Sequence, residues 1–288
     1  MKWLRRIGIG LAVLVALVVV VAFTLYVVGG RKLARTLTAE VHPIAVPSDS
    51  ASVAEGARLA AVYLCAACHG PHLEGQVMAD DPIFGRLVAP HIAPGEGSVT
   101  TGFTDESWVR AIRHGVGGDG RPLVVMPASD YNNVSGDDLA KIVAYLKQVP
   151  PVDNVPPKLE LRLAQVLIGG GMFPLDYDRI NHSKLPPAKP ASSDVLATGE
   201  YLGMVCRGCH GADLMGSEQF GGPQLARGGP FDGYDEAEFR TLLATGVAAD
   251  GRAIDPALMP WKALAELTDE EQHAVWAYLK TVPASAAK

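Results

Sequence analysis

The chain has 288 residues, room for about two domains, and 48% of them are hydrophobic, ample for packed cores. Formal net charge is −6, but residues 1–32 carry five basic side chains and no acidic one, so the remainder holds 20 basic against 31 acidic residues, about −11. A surface of that sign argues against nucleic acid as a partner and suits a basic protein.

After Lys2, Arg5 and Arg6 an uncharged run extends from Ile7 to Gly30, and Ile7 to Val28 is almost wholly Val, Leu, Ala and Ile. As a helix those residues span about 33 Å at about 1.5 Å each, enough for the hydrocarbon core of a bilayer. A cleaved signal peptide usually has an apolar region of about 7 to 15 residues and a small-x-small site. Here the run is longer and closes on Val27-Val28-Gly29-Gly30-Arg31-Lys32, which predicts an uncleaved transmembrane signal anchor over residues 1–30. Arg31, Lys32 and Arg35 blunt the charge asymmetry that would otherwise set its orientation. Residues 31–50, with Pro43, Pro47, Ser48 and Ser50, read as a tether whose use is reach, and His42 reads as solvated.

All four cysteines lie in a stretch that occurs twice: Cys65-Ala66-Ala67-Cys68-His69-Gly70 and Cys206-Arg207-Gly208-Cys209-His210-Gly211. Two thiols three positions apart can add to the two vinyl groups of one porphyrin, and the adjacent imidazole is then carried beneath the ring to bind iron. The pattern predicts two covalently bound haem c groups, with Cys65, Cys68 and His69 holding one and Cys206, Cys209 and His210 the other. A zinc site brings its cysteine pairs within about 15 to 20 residues, and a thioredoxin-like pair needs a strand before it, so neither fits. Disulfides between cysteines this close constrain almost nothing. Since c-type attachment takes place outside the cytoplasmic membrane, the expected placement is single-pass in that membrane, haem domains facing the periplasm.

The first domain is expected over residues 51–152. Val53 to Leu64 has helical periodicity, and Gly56 is small enough to let another helix approach. A loop-rich stretch follows, then a helix capped by Thr104 that carries Trp108, Val109 and Ile112, and a last one capped by Ser135 that runs to Pro150. Short helices fit this pattern and a sheet does not. For the second axial position Met126 is the favoured residue. It stands in Leu123-Val124-Val125-Met126-Pro127, where proline is read as fixing an extended backbone, and Ala257-Leu258-Met259-Pro260 repeats it. Met78 is a runner-up, and His72, His91 and His114 leave bis-histidine ligation of the first haem open.

A linker is expected over 153–192, with a short helix from Leu159 to Ile168 ended by Gly169-Gly170-Gly171, enough apolar residues to pack on the domains, and His182 at the surface. The second domain, 193–288, repeats the first. Asp235 with Glu238 and Thr268 with Glu271 read as capping boxes. Val275-Trp276-Ala277-Tyr278-Leu279-Lys280 matches Ile142-Val143-Ala144-Tyr145-Leu146-Lys147, as tandem duplication leaves. His273 is the other histidine of this half and reads as solvated, which makes Met259 the stronger methionine ligand.

These residues resemble, twice over, the class I cytochrome c fold, and the whole of 51–288 is similar to the membrane-bound cytochrome c subunits of periplasmic alcohol, aldehyde and sugar-acid dehydrogenases. The segments that carry the likeness are Phe103 to Val116 and the Ala144-Tyr145-Leu146-Lys147 helix with its Val149-Pro150-Pro151 ending. The resemblance implies an all-α protein, an N-terminal transmembrane helix before two tandem cytochrome c domains, with Met126 and Met259 as distal ligands. The chain departs from those subunits in haem count, two where many carry three, and in His91, which stands where asparagine is usual. Iron closed by histidine and methionine is suited to single-electron transfer. The expected role is an electron carrier with no catalytic residue, between a dehydrogenase or quinol-oxidising complex and a terminal oxidase or mobile soluble cytochrome. The alternatives are a dihaem peroxidase with one open haem and the dihaem subunit of a haem-copper oxidase.

Overall fold

The computed structural model describes residues 2–218 and 221–284. Helix α1 (Lys2–Leu33) is exposed along its whole surface from Lys2 to Thr24 and is covered by protein only beyond that point. Among the described residues it is the one helix long and apolar enough to cross a membrane.

Two helical units follow. The first holds α2 (Ser50–Val62), α3 (Cys65–His69), α4 (Asp105–His114), α5 (Ala128–Tyr131) and α6 (Gly136–Leu146). After α7 (Leu163–Gly169), the second holds α8 (Val195–His210), α9 (Glu236–Thr245), α10 (Trp261–Leu264) and α11 (Asp269–Thr281). The helices begin where side chains satisfy their free N–H groups. Thr104 accepts from the Ser107 amide and Ser135 from that of Asp138, while Asp235 with Glu238 and Thr268 with Glu271 form complete capping boxes. In each unit the first long helix crosses the last at a glycine. The Gly56 backbone lies on the Lys141 carbonyl and the Tyr145 side chain, and Gly199 lies on the Ala274 carbonyl and Tyr278, where no methyl group fits.

The two units share one buried apolar cluster, with Leu59, Tyr63, Leu139 and Ile142 from the first and Tyr201, Leu202, Leu267 and Val275 from the second. Polar groups fix the junction. Tyr201 donates its hydroxyl to Asp138 (2.7 Å) and accepts from the Ser135 amide (2.9 Å), and Lys189 closes on the other Asp138 oxygen at 2.9 Å. Arg58 makes a two-pronged pair with Glu271 at 2.6 and 2.9 Å.

Three departures from the sequence reading concern the connections. A small antiparallel sheet, β1 (Gln76–Asp81), β2 (Gly85–Ala89) and β3 (Glu160–Leu161), stands where loops were expected. Its turn is set by the Asp81 carboxylate, which accepts from the Ile83 and Phe84 amides, and by Gly85 at φ 112°. β3 takes up the start of the expected linker helix, so α7 begins only at Leu163. The supposed tether is a strap: the Leu37 amide donates to Gly120 (2.8 Å), Tyr177 donates to the Thr38 carbonyl (2.7 Å), and Val41, Ile44 and Val46 pack on the shared core. His42 is half-buried with its Nε2 enclosed, not solvated.

Candidate haem centres

Each cysteine pair lies on a helical turn that ends in a buried histidine. In the first unit Leu64, in the left-handed region at φ 61°, breaks the chain between α2 and α3; in the second, α8 runs unbroken into the motif. Beyond the motif the backbone is the same in both. Gly70 and Gly211 share φ 86°, Leu73 and Leu214 take left-handed φ of 61° and 62°, and the amides of Gly75 and Gly216 return to the His69 and His210 carbonyls at 2.7 and 2.8 Å. A non-glycine residue in that region is uncommon, so its recurrence at equivalent positions marks an imposed loop shape. The copies differ in the connection that follows: 74–89, which carries the hairpin, against 215–222.

That loop positions the acceptor that orients the histidine. Nδ1 of His69 lies 2.8 Å from the Pro90 carbonyl, and Nδ1 of His210 lies 2.7 Å from that of Pro223. A carbonyl only accepts, so each Nδ1 carries the proton and each Nε2 keeps a free lone pair, the state in which imidazole ligates iron. Burial holds both histidines below their ordinary pKa, the proline carbonyls opposing it, which keeps the rings neutral. This is the test the haem has to pass, and both sites pass it. The two carbonyls escaped the sequence reading, although Pro90-His91-Ile92-Ala93 and Pro223-Gln224-Leu225-Ala226 form a repeat that points to them. The rival readings lose support: burial pushes the Cys65 and Cys206 thiols up to about 12, opposite to an activated redox pair. Among the described residues no group of three His, Cys, Asp or Glu forms a metal cage.

The methionines lie on matched structures. The Ala128 amide donates to Met126 (2.8 Å) around Pro127 at φ −77°, ψ 60°, and the Trp261 amide donates to Met259 (2.7 Å) around Pro260 at φ −78°, ψ 54°. Both are inverse γ-turns that open a short helix, so proline supplies a tight turn here and not the extended backbone expected of it. α5 carries Tyr131 beside Cys65 and Cys68, and its hydroxyl donates to the Tyr63 carbonyl at 2.8 Å. Met126 and Met259 are half-buried, whereas Met78 lies exposed on β1.

The other histidines differ in their surroundings. His91 is fully buried with Nδ1 3.0 Å from the Asn154 carbonyl and Nε2 unpartnered, and His72 is exposed. His114 is buried with Nδ1 3.0 Å from Nδ1 of His182, whose ring stacks on Tyr177; His182 is thus a packed residue rather than a surface one. His273, 45% exposed, pairs with Glu236 at 3.0 Å. Burial first, with a smaller effect of Cys209 in the other unit, raises the Cys68 thiol.

Two family models match the chain, "Cytochrome C oxidase, cbb3-type, subunit III" over residues 51–146 and "Cytochrome c" over 197–283. The chain is 30% identical over 220 residues to one of the subunits of nicotinate dehydrogenase from Pseudomonas putida, a match covering 72% of this chain and 18% of the relative. It is 25% identical over 279 residues to the fructose dehydrogenase cytochrome subunit of Gluconobacter japonicus, covering 85% of this chain and 55% of the relative. It is 27% identical over 253 residues to a diheme cytochrome c-type protein of Cereibacter sphaeroides, covering 76% and 82%. The chain thus spans about half of the fructose dehydrogenase cytochrome and a smaller part of the nicotinate dehydrogenase chain. Each family match falls on one copy of the repeated pocket, and the chain accordingly carries two domains of the cytochrome c family, with two covalently bound haem c groups.

Proposed function

We propose that the protein is a membrane-anchored cytochrome of the periplasm. In this reading it takes single electrons from a dehydrogenase or a quinol-oxidising complex and delivers them to a terminal oxidase or a mobile cytochrome. His69 with Met126, and His210 with Met259, would hold the two irons, in cytochrome c domains over 51–152 and 193–288. Bound haem would supply the one-electron chemistry, and a thioether ligand beside an imidazole ligand would raise its potential. The observation that carries the reading is that both units keep the same pair of devices, an imidazole locked by a proline carbonyl and a Met-Pro γ-turn. The dehydrogenase partner rests on the names of the relatives, two of which are dehydrogenase subunits. The junction suits transfer between centres, because Arg58–Glu271, Tyr201–Asp138 and a shared apolar core hold the two units together.

Carbon monoxide added to the reduced protein tests the ligation: no spectral change is expected, and rapid stoichiometric binding at one centre would mark a peroxidase instead. Purification from membranes with associated proteins tests the partner: a co-purifying dehydrogenase supports the donor assignment, and an oxidase core in its place overturns it.

A further inference from the structure

The linker holds a second apolar element beside α1. The Gly29 backbone of α1 lies on Gln165 of α7, and Gly169 of α7 lies on Leu25, so the helices run antiparallel and the C-terminal end of α7 lies further down the apolar run. Side chains lock the crossing. Gln165 Nε2 donates to the Tyr26 carbonyl at 2.9 Å, and Lys32 Nζ donates to the Ile168 carbonyl at 3.0 Å, a second donor to an end-of-helix oxygen that also accepts from the Gly171 amide at 3.2 Å. Beyond α7 the chain reverses through Gly170 and Gly171, the latter at φ 77°, with Gly170 against the Leu25 side chain. Met172 is left 68% exposed. From Leu163 to Leu175 there is no charged residue, and Arg162 and Asp176 bound the stretch.

Depth follows from length. The bare apolar part of α1, Ile7 to Thr24, spans about 27 Å at about 1.5 Å per residue, short of a hydrocarbon core of about 30 Å. The boundary of that core therefore falls within Leu25 to Val28, the level at which Gly169 and Gly170 meet α1. We propose that the Gly169–Phe173 turn is seated in the boundary of the lipid bilayer, with Met172 among the acyl chains, as a second membrane contact of this chain. The inference rests on α1 spanning the membrane. Backbone at that depth is tolerated because α7 satisfies its own groups and Lys32 takes up an end carbonyl.

The test is a nitroxide label at Met172→Cys in the intact haem-loaded protein, reduced and reconstituted into phosphatidylcholine nanodiscs. Val18→Cys and Glu270→Cys serve as references, and relaxation is measured with oxygen, which concentrates in lipid, and with a water-soluble nickel chelate. An oxygen-to-nickel accessibility ratio at 172 that rises with that at 18, several-fold above that at 270, supports the seat. A ratio at 172 equal to that at 270 while 18 stays high overturns it and leaves the span intact. A low ratio at both 172 and 18 overturns it by removing the span. Low accessibility of 172 to both agents overturns it in favour of a protein cover.

Discussion

At the scale of single residues, the two methionines proposed as iron ligands are the most direct place to intervene. Met126→Ala and Met259→Ala are each expected to make one centre, and only one, bind carbon monoxide when reduced, and to lower the potential of that centre, read by redox titration. The histidine cluster gives a second expectation. Burial first, with His182, Arg113 and His42 adding to it, holds His114 down at about 4, against about 6.5 for a free imidazole. The unfolded chain therefore takes up this proton first, so the contribution of His114 to stability is full above about pH 6.5 and is lost as pH falls towards 4. The melting temperature should fall across that window, and less steeply in His114→Gln. The cysteine motifs were legible because covalent attachment fixes the spacing of two thiols and a histidine, and the Met-Pro repeats because the same local sequence recurs in each half. The environments of His42 and His182 were not, since His42 comes from the strap, His114 from α4 and His182 from the linker, and only the folded chain brings them together.

At the scale of elements, the helix pairs depend on their glycine crossings. Gly199→Ala places a methyl group on the Ala274 carbonyl and the Tyr278 side chain, and overpacking of that kind costs typically about 1–3 kcal/mol. A lowered urea midpoint with an unchanged slope checks this. The helices could be read ahead of the fold because Thr104, Ser135, Asp235 and Thr268 signal their starts locally. The sheet could not. The turn at Asp81–Gly85 lacks the two-residue hairpin signature, and the partner of β2 on its other edge, β3, lies some seventy residues away, where its two residues carry no alternation to detect. Proline content likewise made 31–50 look free, although Val41, Ile44 and Val46 find a groove supplied by distant residues.

At the scale of the molecule, the shared core and the junction should make the two units unfold together. Arg58 and Glu271 are mostly buried, at 19% and 15% side-chain exposure, and make charge-assisted bonds worth about 1.5–3 kcal/mol. Arg58→Met should lower the melting temperature accordingly, with little dependence on salt because the pair is shielded from it, and a split of one calorimetric transition into two would show the units uncoupled. The crossing of α1 with α7 has an effect reaching past either helix. Gly29 and Gly169 in contact, with Lys32 and Gln165 bonded across the crossing, fasten the body of the protein to its N-terminal stem at one angle. It stands like a bracket bolted to a post, so that, were the post to cross a membrane, a docking protein would arrive from a fixed quarter of the compass.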